Sequence, residues 1–104
     1  MSIEVVENVI IDETLKNNIE EPERWKVILL NDDHTPMDFV ISILQSIFKH
    51  SAETAEKIML EIHEKGSGIA GTYSFEIAEQ KSVESTVQAR QKGFPLSVQL
   101  EQVL

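Results

Sequence analysis

The segment Trp25–Val40 leaves this chain few ways to fold. A β-prone apolar run, Trp25-Lys26-Val27-Ile28-Leu29-Leu30, is broken at once by the polar run Asn31-Asp32-Asp33-His34. It then gives way to Thr35-Pro36-Met37-Asp38, which has the grammar of a helix start. Thr35 suits the N-cap, and Pro36 suits the first helical position, where its missing N–H is not needed. Asp38 completes a short capping box. Val40, Ile43, Leu44, Ile47 and Phe48 follow at helical spacing, so a helix from Thr35 to Phe48 should bury one face. A strand and a helix are thereby fixed with only a short polar turn between them.

The rest of the chain alternates in kind. Ser51 is a second N-cap, and Ala55, Ile58, Met59 and Ile62 carry a helix to Gly66, a residue suited to a left-handed end. Ile69, Gly71, Tyr73, Phe75 and Ile77 alternate with Ala70, Thr72, Ser74, Glu76 and Ala78, the period of a strand. A third helix is read from Ser82 to Lys92, closed by Gly93 and Pro95. Leu96, Val98 and Leu100 then alternate as a last strand. The predicted order is β-α-α-β-α-β, a small α+β sandwich with three helices packed on a three-stranded antiparallel sheet.

Charge divides the chain. Residues 1–22 read as a flexible acidic extension and 23–104 as the folded domain. Up to Glu23 there are seven carboxylates against Lys16 alone, a net −6 out of a total of −9. That extension is either a disordered leader or a segment that orders on a partner. A net charge of −9 argues against nucleic acid, since phosphate binding needs Lys and Arg. No apolar run approaches the roughly 18 residues of a membrane span, so no membrane contact is expected. The first residues lack a basic and apolar leader, and there is no cysteine, which fits a cytoplasmic protein without disulfides.

Two patterns mislead. Gly66-Ser67-Gly68-Ile69-Ala70-Gly71 matches G-x-G-x-x-G, but here the glycines follow a helix and enter a strand, the reverse of a dinucleotide site. Asp32, Asp33, Asp38 and His34 lack the glycine of a calcium loop, and His50 and His63 are too far apart for a zinc pair. No metal and no cofactor is expected.

One constellation remains. Asn31, Asp32 and Asp33 sit where a strand ends and a helix begins, and adjacent carboxylates repel unless a cation is meant to come. His63 stacks one turn after Met59 on the second helix. If the two helices pack side by side, Val40, Met59 and Ile62 floor a groove whose mouth is ringed by polar acceptors. Such a groove suits an ammonium head with an apolar side chain. The residues alone equally allow a capped helix beside a boundary histidine, or a structural module. A small hydrolase built on Asp32, Asp33 and His63 would lack both a cysteine nucleophile and a G-x-S-x-G elbow.

These residues resemble a known family, the ClpS adaptors of the ATP-dependent Clp protease. The similarity runs from Trp25 to Leu100. WKVILLNDDHTPMDFV is similar to the family's signature, His63 lies in the similar segment IMLEIHEKG, and GTYSFEIAEQK matches a third motif. Trp25 and His34 depart from the common residues without touching a ligand position. The resemblance implies a non-enzymatic adaptor that binds N-degrons beginning with Leu, Phe, Tyr or Trp. It would hand them to a ClpA-type or ClpC-type AAA+ unfoldase. Residue by residue, it implies that Asn31, Asp33 and His63, with Asp32 beside them, bind the α-amino group. Thr35, Met37, Val40, Met59, Ile62 and Leu96 would form the side-chain pocket, with Met37 as its gate. Glu76, Glu79 and Lys81 would form the docking patch for the unfoldase, and the acidic extension would take part in delivery.

Overall fold

The computed structural model describes residues 23–104, and the elements follow the expected β-α-α-β-α-β order. The expectation for residues 1–22 lies outside the described residues. Strand β1, Arg24–Leu30, is central; β2, Ser67–Ser74, and β3, Ser97–Gln102, pair with it antiparallel on either side. Along β1 the side chains alternate as a half-covered strand must: Val27 and Leu29 are fully buried, while Lys26, Ile28 and Leu30 on the other face are half-buried. A bulge between Val27 and Ile28 shifts the β1–β2 register by a residue.

Helix α1, Met37–Ser46, buries Phe39, Val40, Ile43 and Leu44, and packs on helix α2, Ala52–Lys65, which buries Ala55, Met59 and Ile62. Ser51 caps α2 as its sequence implied, its hydroxyl accepting from the Thr54 N–H at 3.2 Å. The chain leaves α1 through Lys49 at φ 63°, a left-handed residue, and the His50 N–H returns to the Leu44 carbonyl at 3.0 Å. The side chains buried in these elements join Ala70, Ala78, Ala89 and Leu96 in a single apolar core.

Two boundaries differ from the sequence reading. Thr35 does not cap α1. Its hydroxyl donates to Asp32 Oδ2 at 2.7 Å, and Pro36, which has no side-chain acceptor, stands at the N-cap. The third helix, α3, spans Phe75–Gln91 and therefore begins seven residues before Ser82. Helix α3 lies against all three strands through Ala78, Ser85 and Ala89, each fully buried. Those side chains are small, so the inward stripe carries no bulky apolar period. Ile77, Val83 and Val87 point outward instead. The alternation Tyr73, Phe75, Ile77 thus ran a strand pattern past its true end.

Candidate functional site

The site begins where the β1 ladder stops. Leu30 is flanked by Ser67 on one side and Ser97 on the other. One residue on, the Asn31 N–H donates to the Gly66 carbonyl at 2.9 Å. Gly66 closes α2 at φ 92°, a conformation that an L side chain would strain, and His63 sits in the turn just before it. On the other side the ladder ends at the pair Leu30–Ser97, so Leu96 lies one residue outside it. One backbone position therefore gathers the polar end of α2, the polar turn after β1 and the approach to β3. Asn31, Asp33 and His63 are all exposed there.

Asp32 has a different task from its neighbour. Its Oδ1 accepts from the backbone N–H groups of His34, at 2.8 Å, and Thr35, at 2.7 Å, while Oδ2 accepts from the Thr35 hydroxyl. Burial pushes the Asp32 carboxyl up. The hydrogen bonds from the Thr35 side chain and from both backbone groups, with the nearby His34, outweigh it and hold the carboxyl below its ordinary value. Asp32 thus ties the turn, and the exposed Asp33 is the carboxylate that the turn presents to solvent. Both oxygens of Asp32 hold bonds within the turn.

The apolar residues expected to form a pocket divide likewise. Val40, Met59, Ile62 and Leu96 are buried and belong to the core. Gly68 lets β2 sit close on α2, since a Cβ there would meet Ile62 Cγ1 at 2.7 Å. Thr35 is half-buried, and Met37 stands 43 % exposed in the first turn of α1.

Glu76 and Glu79 share an outer face of α3, with Gln80, Val83 and Glu84 around a hollow of about 520 Å³. Lys81 does not join them. Two positions past Glu79 it lies on nearly the opposite side of the helix. Its ammonium donates to the Ile47 carbonyl at 2.7 Å and sits 5.3 Å from the Tyr73 ring centroid. It fastens α3 to the end of α1.

A residue that the sequence reading passed over stands at the other end of α3. Arg90 Nη1 donates to the carbonyls of Phe94, at 2.8 Å, and Leu96, at 3.0 Å. Nothing in a lone arginine near a helix end announces that. Its one signal is position, just before the Gly93 that closes the helix. Among the described residues no three His, Asp or Glu side chains gather as a metal site, and no helix is long and apolar enough to cross a membrane.

Comparison with known proteins agrees with this architecture. A family profile, that of the ATP-dependent Clp protease adaptor protein ClpS, matches residues 20–99. The chain belongs to the ClpS family. It is 47 % identical over 92 residues to the ClpS adapter of Oleidesulfovibrio alaskensis, covering 88 % of each chain. It is 49 % identical to that of Shewanella pealeana, covering 88 % of this chain and 90 % of the relative. Among solved structures, Agrobacterium tumefaciens ClpS2 bound to L-phenylalaninamide superposes with a TM-score of 0.77 at 37 % identity, over 80 % of this chain and all of that one. ClpS proteins are Clp protease adaptors, so the chain serves regulated protein degradation and is not an enzyme.

Proposed function

We propose that this ClpS adaptor binds substrates by a free α-amino group followed by a large apolar first side chain (Leu, Phe, Tyr or Trp). It would deliver them to a ClpA-type unfoldase, with a ClpC-type partner as the second reading. In this reading Asn31, Asp33 and His63 accept the three N–H bonds of the ammonium: an amide oxygen, a carboxylate and a neutral imidazole nitrogen. Val40, Met59, Ile62 and Leu96 receive the side chain, Thr35 lines its entry and Met37 covers it. A branch at the substrate's Cβ would collide with that cover close to the anchored backbone. Glu76 and Glu79, with the exposed Val83 between charged neighbours, form the docking face for the unfoldase, and Lys81 holds that helix in place.

The observation that carries the reading is the end of the β1 ladder, where Asn31 bonds to Gly66 at the end of α2 and Leu96 directly precedes Ser97, the partner of Leu30. The relative bound to L-phenylalaninamide supports it, because that compound joins a free α-amino group to a phenyl side chain. Fluorescence anisotropy with a Phe-initiated peptide and its N-acetylated twin tests it. Acetylation should abolish measurable binding, and Asp33→Ala should cost about 1–3 kcal/mol, the range for a hydrogen bond to a charged group. Equal affinity for the two peptides would end the ammonium reading.

A further inference from the structure

Leu96 is one of the most deeply buried side chains, yet no regular element holds it: it lies between the end of α3 and the start of β3. Two contacts hold that connection. From α3, the Arg90 guanidinium bonds through Nη1 to the Phe94 and Leu96 carbonyls. From α1, the Phe39 ring meets Phe94 edge to face, with centroids 5.0 Å apart. Phe39 immediately precedes Val40, so the two anchors tie the connection that carries Leu96 to the helix that carries Val40. Both carbonyls held by Arg90 lie before the β3 ladder begins, where no strand partner takes them. A charged donor makes such bonds strong, and one nitrogen serving two acceptors fixes their spacing as well.

We infer that Arg90 is a positioning and specificity-determining residue of the ligand site: it sets the distance of Leu96 from Val40, and with it the width of the slot for the first side chain. The inference rests on the ammonium reading above. It separates two parts of recognition, since the acceptors at Asn31, Asp33 and His63 lie on other elements and Asn31 is held by its own bond to the Gly66 carbonyl. Loosening Leu96 therefore acts on the side chain of the ligand and spares its amino group.

The experiment measures affinities of one peptide in Phe-initiated and Ala-initiated forms, both with free amines, for the wild-type chain, Arg90→Lys and Arg90→Met, with thermal melts of each. In Arg90→Met the preference for Phe over Ala should fall about tenfold, the equivalent of one charge-assisted hydrogen bond. The Ala-initiated peptide should keep its affinity within about a factor of two. Arg90→Lys retains a cation able to reach one carbonyl and should fall between. An unchanged preference, or equal weakening of both peptides as a purely structural role demands, overturns the inference. If Arg90→Met does not fold, Arg90→Lys decides by the same criterion. Wild-type protein that also binds the N-acetylated Phe peptide removes the ammonium reading and this inference with it. Wild-type discrimination with an unchanged ratio in the variants removes this inference alone.

Discussion

Where α2 buries Ala55, Met59 and Ile62 and turns Glu53, Glu56, Lys57, Glu61 and Glu64 to solvent, α3 buries Ala78, Ser85 and Ala89 and leaves Phe75, Ile77, Val83 and Val87 exposed. The first is the ordinary bargain of an amphipathic helix. Its last turn carries His63 and ends at Gly66, whose carbonyl accepts from the Asn31 N–H. The second is inverted. Small residues let α3 sit close on the sheet, and its bulky apolar groups are left outside among Glu76, Glu79 and Glu84. An exposed apolar patch with a polar rim is the composition of a protein-docking face. The difference teaches that the two proposed tasks, gripping a chain end and meeting a large partner, fall to helices built by opposite rules.

If that contrast is right, truncations on the two helices have very different costs. Ile62→Ala opens a cavity beneath Gly68 and should lower stability by about 2–5 kcal/mol in urea unfolding. Val83→Ser should change it by less than about 0.5 kcal/mol. Comparable losses would show that the outer face of α3 is packed in solution. The converse substitution sharpens the point: Ala89→Leu forces a bulky side chain between α3 and the sheet and should cost about 1–3 kcal/mol. A neutral Ala89→Leu would mean that the close approach of α3 is not needed.

The same contrast explains what the sequence could and could not reveal. α2 was legible because its cap, its apolar period and its terminal glycine agree with one another at Ser51, Met59 and Gly66. The turn after β1 was legible in outline, although the hydroxyl of Thr35 went to Asp32 rather than to the helix. α3 hid its first two turns because a small-residue stripe has no hydrophobic period, and Phe75 and Ile77 prolonged the beat of β2. The residues Asn31, Asp33 and His63 stood out as types, and the family resemblance named them as a set. The bond from Asn31 to the end of α2 depends on the tertiary fold, which no local pattern encodes. Arg90 and Lys81 act on carbonyls brought near by the fold, and only the tertiary structure brings those carbonyls within reach.

The caps of the two helices give a smaller test of the same comparison. Both α2 and α3 start at a serine, but only Ser51 accepts a hydrogen bond at the helix end; Ser74 makes no side-chain cap. Ser51→Ala should therefore cost about 1 kcal/mol, as for other lost caps. Ser74→Ala should fall within about 0.5 kcal/mol. Thermal unfolding of the two variants side by side checks it, and equal shifts would contradict the difference.

The least of the expected effects belongs to the turn after β1 alone. Asp32 ties its turn as a carboxylate, and its folded pKa lies below the ordinary value of 3.8 because hydrogen bonds from Thr35 and His34 favour the ionised form. A carboxyl depressed in the folded state binds its proton more readily when unfolded, so it adds stability above the unfolded pKa, about 3.9. That stability is lost as pH falls through the lower, folded value. Asp32→Asn keeps one acceptor oxygen but cannot titrate. The urea midpoint of wild type should exceed that of Asp32→Asn by a constant margin from pH 7 to about 5, and the margin should shrink in stronger acid. A margin that persists unchanged to pH 2 would show that the turn is held by shape rather than by charge. The presentation of Asp33 would then owe nothing to the ionisation of its neighbour.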